Sequence, residues 1–468
     1  MNYEGVEAPT FWSSVKEAIR GAHHDYTEVS LSRAVLLLAV PMVLETMMES
    51  VFAVVDIFWV SHLGASAIAT VGLTEAMITI LYAVAFGLCM GATATVARRI
   101  GEKNPDAAAL TAVQAILMAL AFAIPIGIVG GVLAPQLLTW MGASNEVIER
   151  GTGYTRIMLA GNATIFLLYL INAIFRGAGD AAIAMRVLWL ANWINILLGP
   201  CFIFGLGPFP KLGVTGAAIA TNIGRGSGVL FQLYKLSRKD GRIKIGKHHL
   251  RVDTGIMKNI LGISGIGIFQ SLIGMTSWIG LIRILSSFGS VAVAGYTVGI
   301  RIIIFALLPS WGLSNAAATL VGQNLGAQKP DRAEKSVWIT CRHNFVFLGI
   351  IGTLFLVFAP FLISIFTKDP AVAQFGIQCL RIVSCGFLFY AYGMVVTQAF
   401  NGAGDTWTPT FINVFCFWLC EIPLGYFLSR HAGWGPSGVF FAITFAFSLL
   451  AVISVVIFRK GRWKLRKV

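Results

Sequence analysis

Twelve apolar runs, each long enough to cross a bilayer, follow one another from Leu31 onward, and no other feature limits the fold so tightly. A helix needs about 20 apolar residues to span the hydrocarbon core. Backbone polar groups at that depth must be satisfied inside the helix itself. The runs fall at roughly 32–60, 67–95, 109–134, 150–175, 182–206, 214–236, 257–285, 291–320, 337–366, 373–399, 408–429 and 436–458. The fold class they predict is all-α, a polytopic membrane protein of twelve transmembrane helices. Charged residues make up only 12% of the 468 positions, against about 25% in soluble chains. That depletion excludes a soluble enzyme, a nucleic-acid-binding domain and a disordered chain. Lipid bilayer and small molecules are therefore the expected partners, and nucleic acid is not.

Basic residues then report orientation, because loops rich in Lys and Arg face the cytoplasm. With the N-terminus inside, the clusters share one side: Arg98, Arg99 and Lys103; Arg176 and Arg186; the connection from Lys235 to Arg251; Lys329, Arg332 and Lys335; and the tail from Arg459. The opposite loops carry little beyond Arg150, Lys211, Lys368 and Arg430. Both termini are expected in the cytoplasm. The opening segment holds Glu4, Glu7, Glu17, Asp25 and Glu28, and it lacks the apolar core of a signal peptide. Phe11, Trp12, Val15 and Ile19 recur at helical spacing and predict a helix lying on the membrane surface.

The chain also repeats itself at an offset of 225 residues. Gly101-Glu-Lys-Asn-Pro105-Asp106 aligns with Gly326-Ala-Gln-Lys-Pro330-Asp331, Arg176-Gly-Ala-Gly-Asp180 with Asn401-Gly-Ala-Gly-Asp405, and His62-Leu-Gly64 with Ser287-Phe-Gly289. Six spans separate equivalent points, so the halves share one orientation, a transporter architecture with the path between them. The expected organisation is a cytoplasmic segment 1–31, an N-lobe 32–236, a linker 237–256, a C-lobe 257–458 and a basic tail 459–468. Asp180 and Asp405 read as helix caps. The seven cysteines form no Cys-x-x-Cys and no disulfide framework. Cys416 and Cys420 share a helix face without further ligands, so they read as packing residues, and neither a metal nor a cofactor is expected.

Acids within the spans carry the functional signal, since an intramembrane carboxylate is costly. Glu45, Glu49 and Asp56 fall within about 40° of one another on the first span, along roughly 16 Å of its axis. Acids so grouped should face water and oppose one another's ionisation; burial and like charge both favour the protonated form of a carboxyl. A proton- or cation-coupled carrier requires this. Pro41 shares their face and is a candidate hinge. Glu75, Gln270, Arg301, Tyr390 and Glu421 are candidates for a substrate cavity or for ion pairs. The alternative is that the acids are structural, paired with Arg225, Arg283, Arg301 or His62.

Several segments together resemble the multidrug and toxic compound extrusion (MATE) transporters over essentially the whole length. They are Pro41 with Val55-Asp56, Arg176-Gly-Ala-Gly-Asp180, Gly216-Ala-Ala-Ile-Ala-Thr221, Leu320-Val-Gly-Gln-Asn-Leu-Gly326 and Asn401-Gly-Ala-Gly-Asp405. The resemblance implies two six-helix lobes in a bacterial inner membrane, acting as a monomer that exports organic cations and drugs in exchange for sodium ions or protons. It further implies an N-lobe cation site at Asp56, Tyr154, Asn195 and Thr221, with Gly199 where the family motif has Asp. Glu45 and Glu49 are then extra acids able to replace the missing charge. The acids that another branch places on helices 7 and 10 correspond to Gly274 and Tyr390. Two rivals remain: a flippase for lipid-linked sugars, which needs a basic cavity, and a membrane-embedded enzyme, for which no His-x-x-x-His or nucleophile cluster is present in the spans.

Overall fold

The computed structural model describes residues 10–21, 24–238, 241–466 and 468, without the side chain of Phe11. Glu4, Glu7, Lys467 and linker positions 239–240 lie outside the described residues. Helix α1 (Phe11–Arg20) is followed by α2 (Leu31–Ser61), α3 (Ala65–Gly101), α4 (Pro105–Val132), α5 (Ala134–Trp140), α6 (Asn145–Ala160), α7 (Ala163–Ala178), α8 (Ala181–Phe204) and α9 (Val214–Ser237). The second half comprises α10 (Thr254–Ser286), α11 (Ser290–Gly326), α12 (Pro330–Ser364), α13 (Pro370–Ser384), α14 (Phe387–Gly402), α15 (Trp407–Asn413), a π-helical segment Val414–Glu421, α16 (Ile422–Arg430) and α17 (Pro436–Arg459). No strand occurs among the described residues.

Ten of these, with α6–α7 and α15–α16 each taken as one, are long and apolar enough to span. The pair α13–α14, bent by 60° at its break, is an eleventh. Helix α9 is the twelfth: 24 residues reach across, and buried Arg225 makes it less apolar than the rest. Starts follow local chemistry. Asn104 accepts from the Ala107 N–H ahead of Pro105, and Asp253 and Asp369 accept from the first amides of α10 and α13.

The repeat is visible in the backbone. Helices α3 and α11 both run 37 residues between equivalent ends. Left-handed positions recur at the same offset: Gly64 and Gly289 (φ +95° and +97°), Gly179 and Gly404 (+91° and +81°), and Lys103 and Gln328 (+57° and +58°). In the last crossing the offset slips to 222, since Gly213 (+59°) answers to Gly435 (+56°) and α9 to α17. Each half has its own core. Leu88, Met118, Phe166, Ile171 and Ala218 belong to the first, and Leu285, Tyr296, Leu348, Phe387 and Phe440 to the second. A smaller cluster of Leu38, Met42, Ala181, Ala316 and Leu320 joins them.

At the end that carries the basic clusters the halves meet closely. A Cβ on Gly101 would collide with the carbonyl of Gln323, and one on Gly326 with the carbonyl of Arg98; both pairs are related by the 225-residue offset. Two straps cross the same end. The segment before α2 takes a bond from Lys329 to the Thr27 carbonyl (3.0 Å) and gives one from Tyr26 to the Gly179 carbonyl (3.2 Å). The tail accepts from Arg98 at the Arg466 carbonyl (2.5 Å), while Arg466 pairs with Asp405 (3.1 Å). This corrects the capping role expected of Asp180 and Asp405. Asp180 makes no side-chain cap and instead pairs with Arg242 of the linker (3.3 Å). Both carboxylates are buried, and a guanidinium offsets a buried charge better than one amide dipole does. On α1, Ser14 and Ala18 face the protein, while Trp12 and Ile19 are exposed.

Candidate ion and substrate site

Polar side chains recur at helical spacing on four neighbouring helices and converge. On α2 they are Glu45, Glu49 and Asp56; on α7 Tyr169, Asn172 and Arg176; on α8 Asn192 and Asn195; on α9 Thr221, Arg225 and Gln232. Each set lies on one helix face, so packing the four faces together builds a polar interior within an apolar bundle.

Nearest the basic end, Arg176 donates to Glu45 at 2.6 Å and Asn172 donates to the same oxygen at 3.1 Å. Gln232 in turn donates to the Asn172 side-chain oxygen (2.8 Å). One turn further, the Tyr169 hydroxyl donates to Glu49. Its ring meets Tyr82 edge-on at 5.6 Å, and the Tyr82 hydroxyl accepts from Arg225 at 2.9 Å. Beyond these, Asn195 donates to the Thr221 hydroxyl at 2.8 Å. Asp56 stands nearby with Glu75 and Arg225 as its charged neighbours and the buried Tyr154 within electrostatic range.

The three acids of α2 are thus not equivalent. The shared water-facing stripe expected of them does not describe Glu45, which is buried in an ion pair, and its partner is Arg176 rather than any of the four cations considered. Arg176 reads as a loop residue because it precedes the Gly-Ala-Gly-Asp turn. The stripe 169, 172, 176 was the available signal for it. Among the described residues, no hydrogen bond or ion pair reaches the Asp56 carboxylate. Gly199, at the place of the family's missing acid, leaves room: its Cβ would meet only Trp59, at 3.8 Å.

The remaining candidates separate into two groups. Gln270, Tyr390 and Glu421 line a single cavity of about 460 Å³ in the second half, closed on one side by Phe86 and Met90 of α3. Glu421 accepts from the Ser277 hydroxyl at 2.6 Å and closes the π-helical segment, just before Pro423 withdraws an N–H from the ladder. Glu75 and Arg301 are outside that cavity, exposed, and within electrostatic reach of each other. Pro41 is buried in α2, which is helical on both sides of it. Away from this interior, Asp106, His248 and His249 bring three ligand-type atoms within 4.8 Å. His249 Nδ1 accepts from the Gly246 N–H, which leaves the ring proton on Nε2 facing Asp106 at 3.5 Å. That arrangement ties the linker to the start of α4.

The MatE family model matches residues 41–201 and 265–427. The chain is 24% identical over 441 residues to a probable multidrug resistance protein NorM of Thermotoga maritima, covering 94% of both proteins. It is 25% identical over 409 residues to an FAD transporter of Shewanella oneidensis, covering 86% of this chain and 89% of that one. Among solved structures it is similar to a MOP superfamily transporter from Pyrococcus furiosus, described as having a binding pocket of reverse polarity that suggests a different function. The TM-score is 0.87 at 25% identity, over 98% of this chain and 100% of that chain.

Proposed function

The chain belongs to the MatE family, and from that membership we propose that it is a cation-coupled antiporter exporting drug-like organic compounds by alternating access. Members of this family are multi-pass membrane transporters of small molecules, driven by ion coupling, and not enzymes. In the proposed reading the basic end is cytoplasmic, the membrane is a bacterial inner membrane and the carrier is a monomer. The closed crossing of α3 and α11 then makes this an outward-facing state.

Asp56 carries the coupling ion, a proton or sodium. The observation that supports this is the pairing pattern: Glu45 and Glu49 have donors, whereas Asp56 has none and lies beside Glu75. A carboxylate with a like charge as neighbour gains most from binding a cation. Asn195, Thr221 and Tyr154 offer polar atoms around it, and Glu49 supplies the second charge that Gly199 cannot. Glu45 with Arg176 anchors the network. Binding at Asp56 removes a repulsion, so occupied and empty states favour different lobe arrangements, with α2 flexing at Pro41.

The flippase reading loses ground, because a pyrophosphate needs free cations. Of the three arginines that could serve it, buried Arg225 donates to Tyr82, Arg301 is within electrostatic reach of Glu75, and Arg283 is exposed near the end of α10, outside the cavity lining.

The test is reconstitution in vesicles with sodium and proton gradients imposed separately, following ethidium. One gradient should drive transport in the wild type, and Asp56→Asn should reduce it at least tenfold. Insertion should survive, since neutralising an acid at a span centre lowers insertion cost by up to about 2.5–3.5 kcal/mol. Wild-type rates in Asp56→Asn would overturn the assignment.

A further inference from the structure

We propose that the cavity between the second half and α3 is a cargo chamber that takes one lipophilic organic cation, with Glu421 as the counter-charge that selects it. The proposal rests on the transporter reading above and adds a place and a selecting residue to it.

The repeat makes the argument. At the 225-residue offset, Glu45 corresponds to Gln270, Glu49 to Gly274, Tyr169 to Met394 and Asn172 to Thr397; at the 222-residue offset of the last crossing, Arg225 corresponds to Phe447. All five counterparts line the cavity. The same location in the two halves therefore holds opposite things. In the first half it is filled by a network of charges and hydroxyls. In the second those side chains are neutralised, shortened or made apolar, and the space stands open at about 460 Å³, within the roughly 300–1,000 Å³ range of drug-sized sites. A site packed with bonded polar groups suits a small ion; a hollow one suits a bulky ligand.

The polarity of the lining specifies the ligand's charge. Among the described residues, no Lys, Arg or His lines the cavity, and its one carboxylic acid is Glu421, 3% exposed. Position 421 corresponds to Ile196 in the first half, so this acid is not a remnant of the repeated network. The π-helical segment brings it in. Ser277 gives Glu421 one hydrogen bond, and its other carboxylate oxygen is left for a ligand. Gln270 Oε1 and Asn413 Oδ1, both buried on the same lining, have no donor. These acceptor oxygens and the ring faces of Trp278, Tyr390 and Phe447 make the lining electronegative, which favours a cation and rejects an anion.

Binding to detergent-purified full-length protein tests this without any gradient, using tetraphenylphosphonium and the neutral triphenylphosphine oxide. Glu421→Gln should weaken tetraphenylphosphonium at least tenfold and leave the neutral compound within twofold. Gly274→Leu, where a Cβ meets nothing within 4 Å, should fill the chamber and weaken both. Wild-type affinity of Glu421→Gln for tetraphenylphosphonium, or equal loss of both ligands, overturns the role of Glu421. Unchanged binding in Gly274→Leu overturns the chamber. Should Glu421→Gln not fold, the wild type decides: tetraphenylphosphonium should protect Glu421 from dicyclohexylcarbodiimide, read by mass spectrometry, and no protection overturns the proposal. The two readings fail separately. Binding here without gradient-driven transport would remove the antiporter, and gradient-driven transport with wild-type binding by Glu421→Gln would remove only the chamber.

Discussion

Glu45 and Arg176 illustrate how a charge inside a membrane protein is made tolerable. At 2.6 Å, with Asn172 on the same oxygen, Glu45 Oε1 is doubly engaged, while Oε2 is buried without a donor among the described residues. Removing one partner from a buried pair costs about 3–5 kcal/mol, because the other is left uncompensated. Arg176→Met should therefore lower thermal stability strongly, Glu45→Gln less so, and the double variant should recover much of the loss. Additive losses in that cycle would mean the two residues do not act as a pair. Among the described residues Glu49 is held only by a phenol hydroxyl, so Glu49→Gln should leave stability nearly unchanged and impair ion-driven transport. Gly199→Asp has the room to fold and should restore part of that transport. A Gly199→Asp variant silent in the Glu49→Gln background would show that the two positions do not exchange roles. The acids on α2 were legible in the sequence because carboxylates stand out in an apolar run. Their partners were not: Arg176 and Tyr169 become partners only when α7 is laid against α2, and nothing in either run specifies that contact.

Helices repay a different kind of reading. The ends of α2, α8, α9 and α17 fall within two residues of the apolar runs, since hydropathy reports them directly. Helices α3 and α11 extend past their runs into polar residues, where hydropathy is blind and only capping and repeat evidence applies. The break between α13 and α14 also leaves no hydropathy signal, because both pieces are apolar. Pro41 is an element-scale question of the same sort. Its ring leaves the Leu37 carbonyl without its usual donor. A turn later, α8 lends support from outside: Trp189 donates to the Leu44 carbonyl at 3.1 Å. A helix weakened inside and braced from its neighbour can bend by changing that brace. Ala is about 3 kcal/mol better than Pro in a helix interior, so Pro41→Ala should hold or raise stability. Turnover in vesicles should fall severalfold while equilibrium dye binding stays within about twofold. Unchanged turnover would make Pro41 a packing feature, and lost binding would make it part of the site.

For the whole molecule, what must change between states is the contact of the two halves at the basic end. Helices α3 and α11 are each about 55 Å long at 1.5 Å per residue, well beyond a hydrocarbon core of about 30 Å. In their last turns, which carry the polar residues Arg98, Arg99, Gln323 and Asn324, Gly101 abuts Gln323 and Gly326 abuts Arg98. Only a residue without a Cβ lets backbone meet backbone there, and the repeat supplies one from each half. The straps add bonds between halves at the same level, from Lys329 to Thr27 and from Arg98 to Arg466. A leucine at position 101 or 326 must push the helices apart or displace them, so Gly101→Leu and Gly326→Leu should each shift the molecule away from this closed end. Hydrogen exchange over 98–104 and 323–330 should accelerate tenfold or more, a change of about 1.4 kcal/mol in local opening. Exchange at the opposite ends of both helices should not accelerate. Gly72→Leu is the control, because it lies on the same α3 and its Cβ meets nothing within 4 Å. It should leave exchange at the basic end as in the wild type. If the 101 and 326 variants exchange like the control, the crossing does not hold the halves together, and the straps alone must carry the closure.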